Sequence, residues 1–175
     1  IETIRRDDRL AACNILIRPH PRSVRQWADV DVNRFGRVAV AMSRILNADQ
    51  SLYDALHHSA AVVGLNTSAQ IEAGILGKPV FTLLAEGFEH GQQGTLHFHY
   101  LLKAQGGLVE IAQDLDEHMN HLDAAFKGAV DTEATREAVA RFIRPHGWHQ
   151  PATPILAEAI CSLAPTRSSA VRRWT

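Results

Sequence analysis

Short apolar runs alternate with polar segments marked by Gly and Pro along most of this chain. Asn14 to Ile17, Arg37 to Met42, Ala60 to Leu65, Val80 to Leu84 and Leu108 to Ile111 have the length and composition of buried strands. The intervening segments predict helices. Ser51 to Ser59 places Leu52, Ala55 and Leu56 on one face, and Thr67 to Leu76 is stopped by Gly77 and Pro79. Further helices are predicted over Thr95 to Ala104 and Asp114 to Phe126, with two closing helices at Thr132 to Ile143 and Pro154 to Leu163. The opening IETIRRDDRLAAC reads as another helix, and Ser23 to Arg34 as loop or a short helix. Strands that are apolar on both faces and alternate with helices predict an α/β fold. The expected architecture is a Rossmann-like doubly wound parallel sheet flanked by helices, spanning residues 1–163. Residues 164–175 carry no core pattern and read as a tail.

The most informative local pattern is AAVVGLNTSAQIEAGILGKPV, Ala60 to Val80. In a parallel α/β sheet, ligands bind beyond the carboxyl ends of the strands, and Gly64 to Ser68 stands at such an end. Gly64 allows close backbone approach or unusual dihedrals. Asn66, Thr67 or Ser68 can cap the helix that follows. The unpaired N–H groups and positive dipole end of that helix suit an anion such as phosphate, with the Thr67 and Ser68 hydroxyls as further donors. Glu72, four residues past Ser68, lies on the same helix side and could accept from ribose hydroxyls. A helix cap without a ligand is the plainer explanation of the same residues.

A second polar turn, RPHPRS, follows the first predicted strand. His20, set between Pro19 and Pro21, could donate to a phosphate or protonate a departing one, with Arg18 and Arg22 adding charge-assisted contacts. The loop after the fourth strand, GQQGTLHFHY, presents Gln92 and Gln93, whose amides can both donate to and accept from sugar hydroxyls. His90, His97 and His99 invite a zinc reading. On a helix, however, His97 and His99 diverge by about 200°, so packing or local hydrogen bonding is expected and no metal. His57 and His58 read as helix-surface residues, and the i, i+3 pair His118 and His121 as solvated surface. Trp148 is expected to pack the Arg141 to Pro154 linker onto the domain or onto a half outside this chain.

Composition narrows the classes. The chain has 175 residues, 46% hydrophobic and 21% charged, with a net charge of -1, which disfavours a general nucleic-acid binder. No apolar run reaches the roughly 18 residues of a membrane span. Cys13 and Cys161 read as reduced packing residues of a cytoplasmic protein. The start at Ile1, inside a helix-like segment, predicts a fragment of a larger two-domain protein.

The stretch LYDALHHSAAVVGLNTSAQIEAGILGKPVFTL resembles the nucleotide-binding half of GT-B glycosyltransferases: a Ser/Thr-rich turn, then Glu-Ala, then Gly-Lys-Pro-Val. Ser59-Ala60 stands where that family commonly has Ala-Asp, a structural position. The His20-Pro21 pair is similar to the His-Pro of bacterial capsule polysaccharide transferases, sialyltransferases and poly-glycerophosphate transferases, with a related arrangement in UDP-sugar 2-epimerases. The resemblance covers Ile15 to about Val109 and does not extend to the C-terminal helices. It implies a donor domain for a CMP-, CDP- or UDP-linked sugar, in synthesis of bacterial surface polysaccharide or glycoconjugate. Thr67 and Ser68 would contact phosphate, with Asn66 and Arg18 beside them, and Glu72 the ribose. His20 would act on the leaving phosphate, and Gln92 and Gln93 would reach the sugar. It implies no metal, and an acceptor site in an N-terminal domain outside this chain. A homodimer through the surface facing that domain is a further expectation. Two other readings stay open: a UDP-sugar 2-epimerase-like enzyme, and a non-catalytic Rossmann-like interaction domain.

Overall fold

The computed structural model describes residues 1–41, 48–84 and 86–163, and every strand pairing in them is parallel. Strand β1 (Ile15–Ile17) pairs with β2 (Val38–Val40), and β3 (Val62–Val63), β4 (Val80–Leu83) and β5 (Val109–Ala112) form a second sheet in that order. The predicted single sheet is thus two small parallel sheets flanked by helices. The protein is α/β. Met42, the expected end of the second strand, and the predicted tail 164–175 lie outside the described residues.

Helices α1 (Glu2–Arg6), α2 (Val24–Trp27), α3 (Ala48–His57), α4 (Ser68–Ile75), α5 (Leu96–Leu101), α6 (Leu115–Phe126), α7 (Thr132–Ala138) and α8 (Ala152–Ser162) complete the order. Most boundaries fall within a few residues of expectation, and the differences have local causes. Gly36 and Arg37 both take positive φ, 60° and 51°, so extended pairing starts only at Val38. The opening helix stops at Arg6. Beyond it, the Asp7 carboxylate accepts from the backbone and side chain of Arg9 in a turn, and that bond holds its carboxyl below the usual range. The predicted helix over Thr132 to Ile143 is α7 continued by a π-helical turn over Val139–Ile143.

The period of two along the strands splits the larger sheet into two faces. Val62, Val80 and Val109 are in register and point to one side, where Leu56 of α3, Ala73 of α4, and Ala138 and Val139 cover them. Phe81, one residue on, points to the other side and meets Leu10 and, from α6, Met119, Leu122 and Ala125. Gly74 lets α4 close onto the sheet: a Cβ there would stand 3.0 Å from the Leu108 side chain. The smaller sheet is less covered, because Leu16 at the centre of β1 is 50% exposed. The expectation that all strands are buried on both faces fails for β1, for β2 at Ala39 and for β3 at Val63, which is also 50% exposed. Helix α8, expected to close the core, buries none of its residues; Leu156 and Ile160 stand in the open. Cys13 is half-buried beside Arg5, whereas Cys161 on α8 is exposed and is not the packing residue expected; both thiols are free.

Chain reversal from α5 into β5 is tight. Gly107 N donates to Leu102 O and Leu108 N to Leu101 O, both at 2.9 Å. A Cβ at Gly107 would lie 2.3 Å from the Leu101 carbonyl carbon and oxygen. Those are backbone atoms and cannot rotate away. Gly107→Ala should therefore cost at least the roughly 1–3 kcal/mol of ordinary overpacking. A urea-unfolding midpoint equal to that of the wild type would refute the tight crossing.

Candidate functional site

The carboxyl ends of β3 and β4 carry the two segments singled out by the sequence, and side-chain amides join them. Strand β3 stops at Val63, short of the predicted Leu65. Gly64 N still donates to Phe81 O (3.1 Å), but the carbonyls that follow leave the ladder for side-chain donors. Gly64 O accepts from Gln70 Nε2 (3.0 Å). Leu65 O accepts from Thr82 Oγ1 (3.1 Å) and from Gln92 Nε2 (3.0 Å). Gln70, Thr82 and Gln92 are each at most 1% exposed, so these bonds satisfy groups that water does not reach. Gly64 serves by close approach, since a Cβ there would stand 2.9 Å from Thr67 Cγ2 and 3.1 Å from Gln70 Cδ.

Thr67 is the N-cap of α4, in extended conformation, and its N–H is held by Gln70 Oε1 at 3.0 Å. Gln70 thus anchors the turn from below while its other end grips Gly64. The Thr67, Ser68 and Glu72 side chains are exposed above it, and Glu72 lies one turn along from Ser68. Asn66 plays a different part. Its Nδ2 donates to Gly91 O (2.5 Å) and stands within reach of Thr95 Oγ1 (3.3 Å) and His97 Nε2 (3.0 Å). It ties the β3–α4 turn to the 91–97 loop. With Asn66 as donor, His97 accepts at Nε2 and carries its proton on Nδ1.

The 87–97 loop is built rather than slack. Glu89 Oε1 accepts from Gly87 N at 2.9 Å, and this bond holds the Glu89 carboxyl below its usual range. Gly94 packs against backbone, a Cβ there standing 2.9 Å from His90 O. His99 Nε2 bonds the Gln93 carbonyl at 2.8 Å. His99 bonds locally, as expected, whereas His97 meets Asn66 of the β3–α4 turn. Among the described residues, no group of three or more His, Cys, Asp or Glu side chains is arranged to hold a metal ion.

The glutamine pair divides. Gln93 is exposed and can meet a ligand. Gln92 cannot act as a sugar contact: its two amide protons go to Leu65 O and Leu83 O, both at 3.0 Å, beneath the surface. Gln70 and Thr82, which share that task, were not foreseen as site residues. The signal for Gln70 was the Thr67-x-x-Gln70 spacing of a capping box; for Thr82 it was a lone hydroxyl in an apolar strand.

The His20 turn lies at the end of β1. His20 is exposed, and its Nδ1 accepts from Arg22 N at 3.2 Å, which puts the proton of a neutral ring on Nε2. Arg18 Nη1 donates to the Ser51 carbonyl and hydroxyl, both at 3.0 Å, fastening the turn to α3. His118 and His121 depart furthest from expectation. His118 is buried at 8% exposure and His121 is half-buried, and both rings pack on Phe81 because α6 turns that side to the sheet.

Trp148 joins Arg136, Glu133 and the end of α4 around an open cleft and is itself exposed. Among the described residues no helix is long and apolar enough to cross a membrane. Comparison with protein-family models, curated proteins and solved structures gives no match for the chain.

Losing a buried amide orphans the carbonyls it serves, at about 1–3 kcal/mol for each group left unpaired. Gln92→Leu and Gln70→Leu should each lower the unfolding midpoint in thermal melts, whereas Gln93→Ala should change stability by no more than about 0.5 kcal/mol. Equal effects at Gln92 and Gln93 would refute the division between them.

Proposed function

We propose that this chain is the donor-binding domain of a glycosyltransferase of the GT-B type, acting on a CMP-, CDP- or UDP-linked sugar. The observation that carries the reading is the β3–α4 turn. There the exposed hydroxyls of Thr67 and Ser68 stand at the N-terminus of α4, with Glu72 one turn on, and Asn66 bonds the 91–97 loop. Supporting it, parallel strands bring the turn and the loop to one carboxyl edge, where α/β sheets receive ligands.

In this reading the diphosphate or phosphate of the donor sits at the first free N–H groups of α4 and takes donors from Thr67 and Ser68. Glu72 accepts from the ribose hydroxyls, far enough along the helix not to oppose the phosphate charge. His20, with its proton on Nε2, donates to the leaving phosphate as the glycosidic bond breaks and negative charge develops there. Gln93 is the glutamine that meets the sugar, and Asn66 positions the loop that carries it. Arg18 steadies the His20 turn through Ser51. Acceptor binding and proton removal from the acceptor fall to a partner domain.

Calorimetric titration and thermal shift with CMP, CDP, UDP and GDP test the reading. One nucleotide should stabilise the chain selectively, by about 2.7 kcal/mol at a hundredfold excess over Kd. Glu72→Ala and Ser68→Ala should each weaken its binding with the melting temperature of the free chain within about 2 °C of wild type. Absence of a shift with all four nucleotides would remove the donor-domain reading and favour a domain kept for protein interaction.

A further inference from the structure

Two imidazoles lie where α6 meets β4, that of His118 buried and that of His121 half-buried. His121 stacks face-on over Phe81, with ring centroids 5.6 Å apart and planes at 17°. His118 meets the same ring edge-on, at 6.5 Å and 86°. The Nδ1 atoms of both rings are shielded from solvent and have no hydrogen-bond partner among the described residues. Around them stand Leu10, Met119, Leu122 and Ala125.

Of the charged groups on the surrounding elements, Asp8 and Asp116 are exposed to solvent, Asp114 accepts from Glu117 N, and the others are engaged in bonds of their own. Strand β4 carries none. Strand β5 carries Glu110, in register with Phe81 but paired with Lys103 Nζ at 3.3 Å. The segment leading to Leu10 carries Asp7 and Arg9, which pair with each other at 2.6 Å, and Arg9 also reaches Asn120 and Asp123. On α1, Glu2 and Arg6 lie within 3.9 Å of each other, and Arg5 is bonded to the Phe35 and Gly36 carbonyls. On α6 itself, Asp123 pairs with Lys127 and Glu117 accepts from Gln113 N. Asp131, after Val130, caps α7. A proton added to the histidine pair meets an aromatic ring and a second imidazole.

We propose that His118, packed with His121 on Phe81, forms an acid-sensitive joint between α6 and β4, closed while the His118 ring is neutral and opened when it takes up a proton. Neutral imidazoles pack as aromatic groups in this pocket, whereas an imidazolium there is a buried cation without a counter-charge. Burial first, and the neighbouring His121 second, hold the His118 imidazole below its usual range. The sign follows. The unfolded chain takes up the proton near the free value of 6.5 while the folded chain resists it. The stabilisation is therefore complete above that pH and is lost as pH falls below it. Opening reaches the candidate turn, because Phe81 O accepts from Gly64 N at 3.1 Å and from Gln70 Nε2 at 3.4 Å.

The test is the pH dependence of thermal unfolding of the whole chain between pH 7.5 and 5.5. It compares wild type, the double variant His118→Gln/His121→Gln, and His57→Gln/His58→Gln, which changes two exposed rings. The wild-type midpoint should fall by at least about 4 °C, on the order of 1–2 kcal/mol for a chain this size. The exposed-ring variant should fall as much and the buried-ring variant by less than half. A flat wild-type profile, or a buried-ring variant that falls as far as wild type, would overturn the proposal. Should the double variant fail to fold, NMR titration of the wild-type ring protons decides. His118 titrating below free imidazole supports the joint, and His118 titrating as free imidazole sinks it.

Discussion

Where β3 leaves the sheet, buried side-chain donors must find acceptors inside the protein. Gly64 O and Leu65 O lie beyond the last β3–β4 pairing, within reach of Gln70, Thr82 and Gln92, each at most 1% exposed. An unpaired donor in such a place costs as much as a lost hydrogen bond. Gln70, Thr82 and Gln92 supply the donors, one from the helix that follows, one from the adjacent strand and one from the loop beyond it. Much of the candidate site depends on this arrangement. The position of Thr67 and Ser68 follows from Gln70, and the 91–97 loop is fixed to the sheet by Gln92 below and to the turn by Asn66 above.

The arrangement also explains how such short strands support a defined edge. β3 has two paired residues, too few for backbone ladders alone to fix the turn that follows it. The valines of one face and Phe81 of the other bury the sheet between helices and supply the non-directional part of the stabilisation. Direction comes from the buried amides, whose planar donors accept only a narrow range of positions. Thr67, Ser68, Glu72 and Gln93 are left exposed on a scaffold held from beneath, with the Thr67 side chain also accepting from the Gln70 backbone in the capping box.

Two pairs of identical residues were read alike and prove to be unlike or misplaced. Gln92 and Gln93 are neighbours with the same chemistry, yet one is 1% exposed and the other is on the surface. Nothing local separates them; the difference is which one faces the end of β4. His118 and His121 are polar residues at helical spacing and look like a solvated face. His118 is buried and His121 half-buried because α6 presents them to Phe81, and a neutral imidazole is flat enough to pack there. Helix α8 errs in the other direction, apolar in sequence and uncovered in the fold.

The sequence by itself determined the alternation of strands and helices, the parallel α/β class, the glycine and capping signals around Thr67, and the end of β3 as the place to look for chemistry. These are local properties: periodicity, caps and turn residues act over a few positions and are written in them. Tertiary structure alone decided that the strands form two sheets, that β1 and α8 stay partly uncovered, and that Gln70 and Gln92 brace the turn. It also decided that His118 is buried against Phe81 with His121 half-buried beside it. Each of those outcomes depends on which surfaces meet across long separations in the chain, and burial, unlike residue type, belongs to both partners of a contact.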